Sequence, residues 1–257
     1  MSLTGKSPAE TYKDITYVDN SNNGVTTTLK SLKTGEGSST ALQVSDRSLL
    51  VKSATNNTTA LDVQNASGSS KLLVDTTNNY VKANGVHVNT QYQSFSLSSG
   101  HSAMTSNNHW AIPIDALFTG ALATIGTGDD PDTSVSFTGS TQRIVNSYWH
   151  VMDNITIDRV VWWSAADTGT GDTTRCHLMS YDVNTDNDAD GGNLSNGVVL
   201  ADGDDIVNAG DEQLYYQQMT IQSADVSAGK IILFAFRPDS VNSDYGLQVT
   251  VKYHITG

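Results

Sequence analysis

Asp186, Asp188 and Asp190 place three carboxylates on alternate residues, and Gly191 follows them. Alternate carboxylates ahead of a glycine bend form the first half of a calcium loop, because a hard dication takes oxygen ligands. The bidentate Glu that closes such a loop is absent, since Gly197 stands at its position, and no helical pattern flanks the segment. The expectation is a solvated acidic loop, with weak calcium binding as the alternative and no other cofactor. Asp202, Asp204 and Asp205 extend the same acidic stretch.

Aromatic pairs offer a second kind of chemistry. Trp162-Trp163 lies in a strand-like run, so the two rings point to opposite faces. One belongs to a core. The other is expected to pack on a second layer or a neighbouring copy, and the alternative is a platform for the CH faces of sugar rings. Tyr215-Tyr216 and Tyr148-Trp149-His150 carry the same two readings.

No catalytic residue emerges. The chain has no G-x-S-x-G elbow, phosphate loop, H-E-x-x-H or Rossmann glycine pattern. His150 and His177 have no ligand-spaced partners and read as structural histidines. Cys176 is the one cysteine, which excludes an intrachain disulfide and a Cys-based zinc site, and it reads as a buried thiol. The chain is therefore not expected to be an enzyme.

These residues sit in an uneven chain. Residues 1–100 hold 8 Lys and Arg against 7 Asp and Glu, while residues 101–257 hold 6 against 20. All four Trp fall in the second part. A net charge of −14 there argues against nucleic acid, whose phosphates demand Lys and Arg, and against anionic lipid. No apolar run reaches the roughly 18 residues of a membrane span, and no signal-peptide core opens the chain. The product is expected to be soluble and made in a cytosol.

After Ser98-Ser99-Gly100 the candidate strands come at short intervals: 134–137, 144–151, 155–163, 175–182, 214–221, 230–236 and 247–255. Residues 247–255 alternate apolar and polar without a break. Antiparallel strands with turn-rich spacers indicate a β-sandwich, and their number suggests a jelly roll. Only 112–123 leaves room for a short helix. In the lean first part, Ser7-Pro8-Ala9-Glu10 is a helix-start signal.

A short apolar phrase then repeats. Thr40-Ala41-Leu42-Gln43-Val44 is answered by Thr59-Ala60-Leu61-Asp62-Val63, and SLLVKSATNN from Ser48 by SKLLVDTTNN from Ser70. Asn84-Gly85 between apolar residues marks a hairpin turn. Each phrase supplies too few inward side chains to offset the entropy of ordering the chain alone. A repeat of that kind stacks on neighbours or on other copies. Leu42, Val44, Leu61, Val63, Leu72 and Val74 are thus expected to face a shared homotrimer core.

The order TGKSPAETYKD (4–14), then NNGVTTTLKSLKTGEGSSTALQVS (22–45), then the LLV phrases, resembles the N-terminal part of bacteriophage virion structural proteins. Such sequences belong to trimeric tail fibres and to head-fibre or decoration proteins, and the resemblance covers about residues 3–95. It implies a virion location and contacts with other capsid or tail proteins. The expected organisation is all-β: an attachment arm over 1–38, a β-rich trimeric shaft over 39–100 and a jelly-roll-like sandwich over 101–257. In the arm, Tyr12, Tyr17, Leu29 and Leu32 are the candidate docking residues. The expected role is a virion decoration or fibre protein with its sandwich projecting outward. The alternative is a receptor-binding tip that recognises a host glycan or surface protein.

Overall fold

A computed structural model describes residues 16–21, 23–98, 104, 107–115, 121–137, 141–166, 170–210, 213–239 and 245–256. The chain is all-β and divides into two compact units, Met1–Val88 and Asn89–Gly257.

In the first unit the repeated phrase builds the same object twice. Strands β1 (Thr16–Val18), β2 (Lys30–Thr34), β3 (Ser39–Val44) and β4 (Leu49–Val51) form one antiparallel sheet in chain order. Strands β5 (Leu61–Gln64), β6 (Ser70–Asp75), β7 (Tyr80–Ala83) and β8 (Val86–His87) form another. Leu42 pairs with Val51 and Val44 with Leu49 in the first. Leu61 pairs with Val74 and Val63 with Leu72 in the second. The identical Leu–Val, Val–Leu order shows that the phrase specifies hairpin register as well as strand.

Turn residues fix the ends of these strands. Asn84 and Gly85 take φ of 50° and 81°, the positive values that a two-residue turn between right-twisted strands requires. The Asp75 carboxylate accepts the backbone N–H groups of Thr77 and Asn78 at 2.9 and 2.8 Å, closing the β6–β7 turn.

The second unit is a β-sandwich. One sheet has the order β16 (Gln213–Gln218), β12 (Ile155–Ala166), β20 (Tyr245–Ile255), β9 (Thr90–Leu97), with β18 (Asp225–Val226) also on β12. The other runs β10 (Trp110–Ile112), β19 (Ile231–Pro238), β13 (Thr173–Val183), β14 (Leu194–Asp202), β17 (Thr220–Ile221). Strands β11 (Trp149–His150) and β15 (Ile206–Val207) add to its β19 and β13. Between the sheets lie Phe95, Val160, Trp162, Leu178, Phe234, Phe236, Val249 and Val251, all buried. A second apolar cluster covers the far side of the seven-stranded sheet, where Ala123, Ile125, Phe137 and Ile144 pack on Met179, Tyr181, Ile231 and Leu233. Strand β19 is thus buried on both faces, which explains its unbroken apolar run Ile231–Phe236.

Several sequence expectations are revised. The division of the chain falls at 88/89, because Thr90–Leu97 pairs along its length with β20. The boundary at 38/39 falls inside the first sheet, where Lys33 pairs with Ser39. Residues 144–151 form no single strand: a short helix α1 (Thr141–Ile144) and a 3-10 turn (Val145–Ser147) precede β11. Residues 134–137 contribute one isolated bridge, Val135 to Leu194. Residues 214–221 split at the buried Met219, where the chain crosses from one sheet to the other. Within 112–123, Ile112 ends β10 and no described residue is helical. The helix signal at 7–10 lies outside the described residues.

Strand β14 was not anticipated from the sequence. Its central Gly197 is dictated by packing, since a Cβ there would lie 2.6 Å from the Tyr181 ring and 2.8 Å from the Thr133 Cα.

Candidate functional site

The first unit has apolar faces without a core. Among its described residues Asp75 alone is buried. In the second of its sheets, register puts Leu61, Val63, Leu72, Val74, Val81 and Ala83 on one face. Leu61, Val63 and Leu72 remain 36, 47 and 37 % exposed. In the first sheet Leu42, Val44, Leu49 and Val51 share a face, and Leu49 is 67 % exposed. Val44 and Val74 are half-buried. The structure therefore groups the six expected core residues into two faces, and two of them, Leu61 and Val74, line a cleft of about 360 Å³ together with Val51 and Ala60. Covering a fully exposed side chain of this size is worth roughly 1.5–3 kcal/mol.

Of the expected docking residues, Tyr17 and Leu29 are exposed and Leu32 is half-buried. Tyr17 and Leu32 belong to β1 and β2 and so form part of the first sheet. Tyr12 lies outside the described residues.

The second unit offers a different surface. Trp162 is fully buried between the sheets, and its indole N–H donates to Gln217 Oε1 at 3.1 Å. Trp163 points the other way and is 43 % exposed. Its cross-strand partner is Tyr216, with ring centroids 4.7 Å apart. Arg159 Nη2 donates to the Tyr216 hydroxyl at 3.0 Å. Leu214, two pairs further along on the same face, is also exposed. The outer aromatic is thus not covered by a second layer of the chain's own described residues. Tyr215 instead turns inward, its hydroxyl donating to Asn208 Oδ1 at 2.9 Å. Trp149 is in the core beside Tyr253, and His150 is exposed.

The acidic loop does not gather its carboxylates. Asn184 and Asp188 accept the backbone N–H groups of Asp186 and Asp190, each at 2.9 Å, and Asn193 donates to Asp190. These side chains serve the loop's own turns. Gly191 is needed where a Cβ would sit 2.6 Å from the Asp186 carbonyl oxygen. Among the described residues no group of three or more His, Cys, Asp or Glu is placed to hold a metal ion.

Two buried histidines form a cluster that spacing could not reveal. His177 Nε2 lies 3.1 Å from both Asp130 and Asp202 carboxylates. Its ring meets His109, whose Nε2 is 3.0 Å from the Gly128 carbonyl. Burial lowers the pKa of both, that of His109 to about 4. Asp202 is also bound by Arg175 at 2.7 Å. Cys176 is buried, and desolvation pushes its thiol well above the usual range.

No family model matches the chain, and no curated protein matches it. No described helix is long and apolar enough to cross a membrane.

Proposed function

We propose that this chain is a structural component of a phage virion, a homotrimeric decoration or fibre protein. Its first unit forms the shared shaft and its jelly-roll-like sandwich projects outward. The observation that carries the reading is the coreless first unit, with Leu and Val side chains aligned on two exposed faces. Ordered strands with this composition are stabilised by burying those faces against copies of themselves. The virion location rests on the resemblance of residues 3–95 to phage structural proteins.

Attachment through the N-terminal arm is part of the proposal. Because β1 and β2 hydrogen-bond into the first sheet, the segment to remove is residues 2–15, which keeps every described strand of that sheet. Antibody labelling of purified phage particles tests the location. The chain should be found on intact particles and be lost from them on deletion of residues 2–15. Particles that never carry it would overturn the virion reading, and normal occupancy by the truncated chain would overturn the arm.

A further inference from the structure

The outer face of the five-stranded sheet carries a row of aromatic and polar side chains. Tyr216, Trp163, Gln248 and Ser96 occupy one register row across β16, β12, β20 and β9. Neighbouring strands lie about 4.8 Å apart, so the row runs roughly 14 Å from aromatic rings to amide and hydroxyl. All four side chains are exposed or half-buried. Along the strands Val161, Ala165 and the exposed Leu214 flank the two rings on the same face, and across the strands the row continues into hydrogen-bonding side chains. Aromatic faces followed by an amide and a hydroxyl suit a saccharide, which presents CH faces and hydroxyls alternately.

Charge decides which saccharide. The second unit has 6 Lys and Arg against 20 Asp and Glu. Aspartates hold Arg175, Lys230 and Arg237. Arg159 and Lys252 are cross-strand partners on this same outer face, and neither forms an ion pair with a described carboxylate. Asp158, next to Arg159 at the bulge of β12, accepts a hydrogen bond from the His254 ring at 3.0 Å. Two cations without an ion-pair partner among the described carboxylates, on the same face as a tilted Trp–Tyr pair, complement a carboxylate on a sugar ring, and a guanidinium can grip it through two parallel N–H donors.

We propose that the outer sheet face centred on Trp163 and Tyr216 binds a carboxylated glycan. The rings stack on the sugar, and Arg159, assisted by Lys252, holds its carboxylate. This does not rest on the trimer or on the virion location, and it holds for a surface polysaccharide of any source.

Isothermal calorimetry on the full chain tests it, with 3′-sialyllactose and digalacturonate as probes and lactose as the neutral comparator. At least one carboxylated probe should bind more tightly than lactose. Trp163→Ala should weaken that binding by about tenfold or more, Trp163→Phe should largely restore it, and Arg159→Gln should abolish the preference over lactose. Both positions lie on the solvent side of the sheet, and unchanged thermal melts would confirm intact folding. Three results would overturn the proposal: neither carboxylated probe binds, Trp163→Ala binds as the parent does, or Trp163→Ala changes the mass of the assembly. The last would make this face a contact between copies.

Discussion

The imidazole of His177 meets that of His109 edge to face, with ring centroids 5.1 Å apart at 72°, and both side chains are closed to solvent. Neither Nδ1 has a hydrogen-bond partner among the described residues. A proton added to either ring would be poorly solvated, and each charge would oppose the other. Burial is the main cause of the fall in both pKa values, with the His177 ring adding to it at His109 and the Arg175 guanidinium at His177. For His177 the nearby Asp202 and Asp130 carboxylates offset part of that loss.

The consequence is an acid-sensitive sandwich. Between pH 6.5 and about 4 the unfolded chain takes up a proton on His109 that the folded chain does not. Stability contributed by this group is therefore full above pH 6.5 and is lost as pH falls towards about 4. The loss should be on the order of 1–3 kcal/mol. Denaturant melts from pH 7.5 to 4.5 should show it, and His109→Gln should flatten that slope. An unaltered slope in the variant would remove His109 from the account.

The adjacent tryptophans should behave oppositely. Trp162 fills the space between the sheets and lies against Phe236, with ring centroids 6.4 Å apart. Trp162→Ala should cost about 3–5 kcal/mol in urea denaturation. Trp163→Ala leaves no cavity in the core and should cost under about 1 kcal/mol. Similar losses at both positions would mean that the outer ring is also covered.

A cysteine placed on the apolar face should report on neighbouring copies. Cys176 is buried, so Val63→Cys would carry the accessible thiol. Around a three-fold axis, three such thiols can join only in pairs. Mild oxidation should give a covalent two-chain band with a residual single chain on reducing-agent-free gels. Free thiol throughout, at concentrations where the assembly persists, would place Val63 away from the axis.

Much of this architecture was legible where local pattern and environment agree. The repeated phrase specified two hairpins of matching register, and Asn84-Gly85 specified the turn between β7 and β8. Residues 247–255 alternate because one face of β20 meets the core and the other does not. Strand β14 was harder to see, because Gly197 and the polar Ser195 and Asn196 hide a strand that tertiary packing imposes. The segment before Gly100 is polar enough to read as shaft, yet Phe95 and Leu97 alternate into the sandwich core. The histidine cluster left no local trace, since His109, Asp130, His177 and Asp202 converge from separate segments. The Trp163 platform was half visible. Spacing gave two opposite faces, but only the fold shows which ring is open.

The most direct test of the central claim is the solution mass of the full-length chain by multi-angle light scattering. The account expects three times the 27.4 kDa chain mass, and loss of that assembly when Val63→Asp and Leu72→Asp are combined on the exposed face. A folded species of 27.4 kDa for the parent chain at micromolar concentration would contradict it.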